Sequence, residues 1–264
     1  MAEDAFFRVH DVHLSFGAVK AVDGASLEVH RGEIVGLIGP NGAGKTTLFD
    51  IISGFRPQAR GRVGFDGVDL MERKAWERPW LGLGRTFQTV SLYPNMTVLD
   101  CIRTSLHRHA PDRPVRSLLR AALGSASSVA EERRITAKAT EVIDRLGLGD
   151  YATKLVSELS YGTLRMAELA CILALGPTLV LLDEPSSGIA QRETEALGPL
   201  LLELRHELGA TFLLIEHDMP LIMGISDRIY ALASGAVLAE GTPEEVQSNP
   251  DVVESYLGGS LEGV

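Results

Sequence analysis

The chain has 264 residues, a length that predicts one large domain or one domain with an inserted subdomain and excludes a peptide hormone. Its residues are 45% hydrophobic and 23% charged, which is close to the globular average and excludes disorder as the main state. With 25 Lys and Arg against 35 Asp and Glu, the net charge is −10, which disfavours a phosphate backbone and predicts no nucleic acid partner.

Neither an exported nor a membrane-spanning chain is predicted. The longest apolar run, residues 169–182, is shorter than the about 20 residues that a spanning helix needs, and Gly176-Pro177 interrupts it. It predicts a helix, a break and a buried strand. The N-terminal stretch MAEDAFFRVH lacks the apolar core of a signal peptide. Cys101 and Cys171 are too few for a disulfide framework, so we expect a cytoplasmic chain without structural zinc.

The first elements in chain order are strands. Short alternating apolar and polar runs predict antiparallel strands at residues 7–9, 12–16 and 27–29. Residues 34–38 are apolar throughout, which is typical of a parallel strand covered on both faces. A glycine-rich turn and a helix at 46–53 follow, and residues 62–67 resemble a hairpin arm.

The middle of the chain has a helical pattern. From about residue 93 to 159, apolar residues recur at helical intervals and predict an inserted helical subdomain, with helices at 96–102, 118–123 and 135–146. Prolines, a glycine and serines at 110–129 predict a partial loop there. Strands are predicted again at 179–182, 211–215 and 228–233, and their alternation with helices predicts a βαβ sheet.

One motif predicts a phosphate site. Residues 39–46, GPNGAGKT, fit the G-x-x-x-x-G-K-[ST] pattern between a strand and a helix, a context that disfavours an ordinary glycine-rich turn. Glycines let backbone N–H groups face phosphate oxygens, and the helix N-terminus adds partial positive charge. Lys45 is expected to reach the β- and γ-phosphates, and the Thr46 hydroxyl to bind Mg²⁺. The predicted nucleotide-binding residues here are Gly39, Asn41, Gly42, Gly44, Lys45, Thr46 and Thr47.

An acidic pair follows the apolar run at 179–182. Asp183 and Glu184 lie at the end of this strand, where open α/β sheets bind their ligands. Asp183 is predicted to hold Mg²⁺ and Glu184 to polarise an attacking water, because phosphoryl transfer depends on positioning and charge stabilisation. Taken alone, the pair is explained equally well as carboxylates that cap the next helix.

Together these motifs resemble the ATP-binding subunits of ABC transporters, over nearly the whole chain. Residues 159–163, LSYGT, are similar to the family signature LSGGQ, and Asp183-Glu184 to the Walker B pair. Gln88 resembles the Q-loop glutamine, His217 the switch histidine, and Phe16 the aromatic residue on which adenine stacks. Each of these three, taken alone, is more simply a core or surface side chain.

The resemblance implies a fold and a reaction. The implied fold is α/β, a P-loop NTPase (RecA-like) core with an antiparallel β subdomain and the inserted helical subdomain, in one ABC ATPase domain over residues 1–264. The implied reaction is hydrolysis of ATP with Mg²⁺, in which Glu184, His217 and Gln88 are catalytic. Gln88 is also implied as a metal ligand beside Thr46 and Asp183.

The resemblance also implies partners. Ser160 and Gly162 of the signature, at the start of a helix, would complete the ATP site of a second ATPase subunit. Transmembrane permease subunits would supply the spanning helices, which places this chain on the cytoplasmic face of the cell membrane as a peripheral subunit. The resemblance is to the branch that imports branched-chain amino acids, through residues 84–88, 93–98 and 250–258 and a C-terminal extension at about 241–264.

Two departures from the family pattern affect communication between ATP sites. Thr163 replaces the usual Gln of the signature, and Ala190 stands where the D-loop usually ends in Asn or Asp. Two rival functions stay open on the sequence. One is a soluble ABC ATPase that acts on nucleic acid or ribosomes, and the other is an interaction subunit that does not hydrolyse ATP.

Overall fold

The computed structural model describes residues 6–107 and 126–258. The strands of this part are β1 (Phe7–Phe16), β2 (Val19–Val29), β3 (Ile34–Ile38), β4 (Arg60–Phe65), β5 (Val68–Asp69), β6 (Leu83–Arg85), β7 (Leu179–Asp183), β8 (Thr211–Ile215), β9 (Arg228–Ala233) and β10 (Ala236–Gly241). Its α-helices are α1 (Lys45–Ser53), α2 (Val98–Leu106), α3 (Ala126–Arg145), α4 (Tyr161–Ala174), α5 (Gln191–Leu208), α6 (Met219–Ile225), α7 (Pro243–Gln247) and α8 (Pro250–Gly258). Among the described residues, no helix is both long and apolar enough to cross a membrane.

The chain divides into two compact units. One consists of Met1–Gln88 with Thr178–Val264, and the other of Thr89–Pro177. The first unit contains both β-sheets, and the second contains α2, α3 and α4. The subdomain predicted at about 93–159 falls within the second unit, which also includes the helix α4.

A six-stranded sheet forms the centre of the first unit, in the order β10-β9-β3-β8-β7-β6. The strands from β9 to β6 are parallel, and β10 pairs antiparallel with β9. Every residue of β3, β7 and β8 is buried, as expected for strands covered on both faces. The sequence predictions of these strands and of β9 are confirmed. Since the strands are parallel, the loops after β3, β7 and β8 leave the sheet at one edge.

The second sheet is antiparallel, in the order β2-β1-β4-β5. The sequence predicted two strands at residues 7–9 and 12–16, and this was wrong, because the structure has one strand, β1, through both. The pairing with β2 shifts between Val9 and Val12, and Asp11 adopts a φ of 48°. A β-bulge of this kind interrupts the alternation of buried and exposed residues without ending the strand.

The second unit is a helical cluster. Thr97 caps α2 by accepting the Asp100 N–H, and helices α2, α3 and α4 pack around buried residues such as Ile102 and Ile143. The predicted helices at 96–102 and 135–146 are confirmed, although α2 begins at Val98. The helix predicted at 118–123 lies outside the described residues. Of the partial loop predicted at 110–129, only the end from Ala126 is described, and that end belongs to α3.

The C-terminal part of the chain adds elements after β9. The strand β10 was not predicted, and α7 and α8 fall within the extension predicted at about 241–264. Thr242 caps α7 by accepting the Glu245 N–H, and Pro243 stands at its first turn, where the absent N–H is tolerated.

Cys101 and Cys171 are both buried free thiols.

Candidate nucleotide-binding site

The loop between β3 and α1 has a backbone that only glycine permits at two positions. Gly39 has a φ of 150° and Gly44, which precedes α1, a φ of 101°. A Cβ at Gly39 would collide with the carbonyl oxygen of Leu232, and one at Gly44 with that of Ala21. The loop is therefore free to fold tightly over the N-terminus of α1, whose first N–H groups have no helical acceptor. Such a loop forms a ready anion site.

Lys45 is the first residue of α1, and its side chain reaches into this loop. The residue is 6% exposed, and its Nζ donates to the carbonyl oxygens of Gly39 at 2.6 Å and Pro40 at 3.1 Å. Burial lowers the pKa of the Lys45 ammonium, while the nearby carboxylates of Glu184 and Asp183 act in the opposite direction. The loop and the end of β7 thus bring one buried cation and two acidic groups together.

Asp183 ends β7 and is 1% exposed. Its N–H donates to Thr86 Oγ1 at 3.0 Å, and its Oδ2 accepts from Arg85 Nη2 at 3.2 Å. Burial raises the pKa of Asp183, and the Arg85 guanidinium opposes this rise. Arg85 also contacts Asp50 Oδ1 at 3.0 Å, so it links α1 to the end of β7. The carboxylate of Asp183 is therefore fixed in orientation by its neighbours.

Glu184 and His217 meet at the same edge of the sheet. His217 Nε2 lies 2.9 Å from Glu184 Oε1, and the Glu184 N–H donates to the Ile215 carbonyl at 2.9 Å. Glu184 has a φ of 51°, in the left-handed region that a non-glycine residue rarely adopts. Such a conformation costs about 1–3 kcal/mol and is concentrated at functional sites.

Two other predicted residues lie at the surface of the first unit. Phe16 ends β1 with 43% exposure, and the Arg56 guanidinium lies 5.3 Å from its ring centroid. Gln88 is exposed in the loop after β6. An exposed aromatic face is suited to stacking on a base.

Ser160 and Gly162 belong to the second unit, at the start of α4. Ser160 Oγ caps the helix by accepting the Thr163 N–H at 3.2 Å, and it lies 2.8 Å from Thr163 Oγ1. Thr163 therefore engages the hydroxyl that the signature would present. Ser160 is exposed and Gly162 is buried.

Comparison with known proteins shows which family the chain belongs to. The profile of the family "ABC transporter" matches residues 22–187, and that of "Branched-chain amino acid ATP-binding cassette transporter" matches residues 236–262. The chain belongs to the ABC transporter ATP-binding family. As a member of this family it is a nucleotide-binding subunit that hydrolyses ATP, and its α/β core is the P-loop NTPase fold.

The sequences of known relatives align with this chain over almost its full length. The chain is 41% identical to the Salmonella typhimurium high-affinity branched-chain amino acid transport ATP-binding protein LivG, over 95% of this chain and 96% of that one. It is 37% identical to the Pseudomonas aeruginosa protein BraF of the same description, again over 95% and 96%. An ATP-binding cassette of an ABC transporter in its ADP conformation superposes with a TM-score of 0.80 at 32% identity, covering 97% of this chain and 100% of that one.

The ABC ATPase chain offers oxygen ligands suited to Mg²⁺. The Thr46 hydroxyl is exposed in the first turn of α1, and the Asp183 carboxylate is buried at the end of β7. Within residues 6–107 and 126–258, no cluster of three or more His, Cys, Asp and Glu could hold a metal. In general, Mg²⁺ binds through one or two protein oxygens together with substrate phosphates.

Sequence reasoning assigned no role to two charged residues at this edge of the sheet. Arg85 bridges Asp50 and Asp183, and Glu216 is 2% exposed directly after β8. The available signal was a single charge at the end of an apolar strand, the same signal that pointed to Asp183. For Arg85 the strand has only three residues, so its pattern is too short to recognise.

Proposed function

We propose that this chain is the ATP-hydrolysing subunit of an ABC importer for branched-chain amino acids. The observation that carries the proposal is the meeting of Lys45, Asp183, Glu184 and His217 at one edge of the parallel sheet. The substrate class rests on the LivG and BraF relatives, which are described as branched-chain amino acid transport proteins.

The loop and α1 bind the phosphates of ATP. Lys45 exchanges its contacts with the Gly39 and Pro40 carbonyls for the β- and γ-phosphates, which restores charge pairing to a partly desolvated ammonium. The backbone N–H groups of the loop contact the phosphate oxygens, with Asn41, Gly42 and Thr47 at the same turn. Phe16 stacks on the adenine ring.

Thr46, Asp183 and Gln88 would hold Mg²⁺, which would neutralise charge on the transferred phosphoryl group. Glu184 accepts a hydrogen bond from the attacking water and polarises it. His217, in contact with Glu184, donates toward the γ-phosphate.

Two copies or two related ATPase subunits close over two nucleotides, and the signature of each completes the site of the other. Ser160 and the N-terminus of α4 supply donors to the γ-phosphate, which requires Ser160 to give up its contact with Thr163. The chain docks on a transmembrane permease at the cytoplasmic face of the cell membrane, as a peripheral subunit.

The experiment is transport by the reconstituted complex. The full chain is co-purified with its permease and placed in liposomes, and ATP-driven uptake of labelled leucine is measured with unlabelled valine, isoleucine or glucose as competitor. We expect uptake that valine and isoleucine inhibit and glucose does not. A chain that stays in the cytosol when the permease is co-expressed, or ATP turnover with no uptake of labelled leucine, would contradict the proposal.

A further inference from the structure

Glu216 is a buried carboxylate between two loops of the nucleotide site. Its Oε1 accepts a hydrogen bond from the Ser186 N–H at 2.7 Å, and its Oε2 accepts one from the His217 N–H at 3.0 Å. The Asp218 N–H also donates to Oε2, at 3.3 Å. One side chain therefore joins the loop that follows Glu184 to the loop that carries His217.

This arrangement is more than the cap of a strand end. Burial of a carboxylate is unfavourable unless hydrogen bonds or opposite charges compensate for the lost water. At Glu216, backbone N–H groups of two different loops provide this compensation, and hydrogen bonds to an ionised acceptor are stronger than those between neutral groups. An aspartate side chain, which is shorter by one methylene, could accept hydrogen bonds from one of the two loops but could not reach both.

The two loops also hold a strained residue. Glu184 has a φ of 51°, and such a conformation persists only where the surroundings impose it. On one side its N–H donates to the Ile215 carbonyl at 2.9 Å, and on the other its carbonyl accepts the Ser187 N–H at 3.1 Å. Ser186, within that turn, is the residue whose N–H Glu216 accepts. Glu216 thus fixes the turn that keeps Glu184 in its unusual conformation.

We propose that Glu216 is a positioning residue. It holds the carboxylate of Glu184 and the imidazole of His217 in the relative positions that ATP hydrolysis requires. The proposal rests on the function proposed above, since Glu216 itself is assigned no contact with ATP. It predicts a specific defect. Loosening the two loops slows the hydrolytic step, while phosphate binding by Lys45 on the separate loop before α1 is unchanged.

The test is a comparison of Glu216→Gln with Glu33→Gln in the purified full chain. A glutamine at 216 keeps the size but turns an amide N–H₂ toward one of the two sets of N–H donors. Glu33 is a matched control, because it accepts the His30 N–H at 2.8 Å and lies at the opposite, amino edge of the sheet. The turnover number, the KM for ATP, the affinity for ATP and the melting temperature are measured for each.

We expect Glu216→Gln to lower the turnover number at least about tenfold, with the KM and the ATP affinity within about twofold of the wild type, since small displacements of catalytic groups have effects of this size. Glu33→Gln should keep wild-type turnover. If Glu216→Gln does not fold, Glu216→Asp, which keeps the charge but reaches only one loop, should show the same selective loss.

Three results would overturn the role of Glu216. These are turnover within twofold of the wild type in the folded variants, an equal loss in Glu33→Gln, or a joint loss of ATP affinity and turnover. Absence of ATP turnover in the wild type is distinguishable from these, since it contradicts the proposed function and removes the basis of this proposal as well.

Discussion

An arginine lies between two carboxylates at each edge of the parallel sheet, the carboxyl edge and the amino edge. The two arginine side chains differ in how deeply they are buried. At the carboxyl edge, Arg85 pairs with Asp50 at 3.0 Å and Asp183 at 3.2 Å, and its side chain is 7% exposed. At the amino edge, Arg228 contacts a carboxylate at 3.0 Å and another at 2.6 Å, and its side chain is 21% exposed. These amino-edge partners are Glu33 and Glu240.

The surroundings of the two clusters differ as well. The carboxyl edge adds a buried lysine, Lys45, a glutamate with positive φ, Glu184, and a buried carboxylate, Glu216. In the amino-edge cluster, Arg228 forms ion pairs with both carboxylates. Its Nη2 also donates to the Glu28 carbonyl at 2.8 Å. Similar ion pairs therefore serve stability at one edge, whereas at the other they accompany desolvated and strained groups of the kind that cluster at functional sites.

The largest expected effect separates nucleotide binding from the rest of the fold. Lys45→Ala should weaken ATP binding at least about tenfold, because it removes charge-assisted hydrogen bonds to the phosphates. A binding titration measures this change, and circular dichroism should show an intact fold. The control is Lys138→Ala, which removes an exposed lysine of α3. Unchanged affinity in Lys45→Ala would remove the phosphate-binding role from this edge.

A second prediction tests the burial difference between the two arginines. Arg85→Met should lower the free energy of unfolding by about 3 kcal/mol, because it leaves the buried carboxylate of Asp183 without its hydrogen-bonded cation, while Asp50 keeps its ion pair with Arg56. Arg228→Met should cost about 1 kcal/mol, since the Arg228 side chain is 21% exposed and that of its partner Glu240 is 45% exposed. Urea denaturation measures both values. Equal losses would mean that burial does not distinguish the two clusters.

A third prediction concerns the helix that begins beside the carboxyl edge. Ala190 precedes α5 but has no side-chain acceptor, and its N–H donates to Glu193 at 3.3 Å. Ala190→Asn should supply an N-cap and raise the free energy of unfolding by about 1 kcal/mol, equivalent to a rise of about 2–4 °C in melting temperature. Ala190→Val, which cannot accept a hydrogen bond, should give no rise. A stabilising valine would show that the asparagine acts by something other than capping.

The smallest effect is expected in the antiparallel sheet. Asp11, at 2.9 Å, raises the pKa of His13 above 6.5, with Asp23 adding to the rise and slight burial opposing it. A raised pKa in the folded state stabilises the protein below the unfolded pKa, and this gain is lost as the pH rises through the folded pKa. His13→Gln should therefore lower the melting temperature by at most about 2 °C near pH 5.5 and leave it unchanged near pH 8.5. The reverse pH dependence would exclude this pairing.

The sequence predicted the elements that have a strong local pattern. The apolar strands β3, β7, β8 and β9 and the loop before α1 were recognisable because each is a continuous run or a fixed motif. The bulge at Asp11 was not, since it interrupts the alternation of apolar and polar residues in the same way as the end of a strand does. The strand β6 was too short, and its missed residue, Arg85, finds its partner Asp183 98 residues away.

The residues of the candidate site could be predicted from the sequence, but the contacts between them could not. Lys45, Asp183 and Glu184 follow from motif and strand position, and the Glu184–His217 contact follows only from the fold. Glu216 was missed because its partners are backbone N–H groups, which carry no sequence signal. The hydrogen bond between Ser160 and Thr163 likewise depends on the geometry of a helix start.

The central claim is that the carboxyl edge of the sheet hydrolyses ATP through Glu184. The most direct measurement is ATP turnover and ATP affinity of Glu184→Gln, which keeps the size of the side chain but removes its charge. We predict a fall in turnover of at least about 100-fold with unchanged affinity, because the water is no longer polarised. Bound ATP should then favour a dimer, visible by light scattering at concentrations where the wild type is mainly monomeric. Wild-type turnover in this variant would contradict the account.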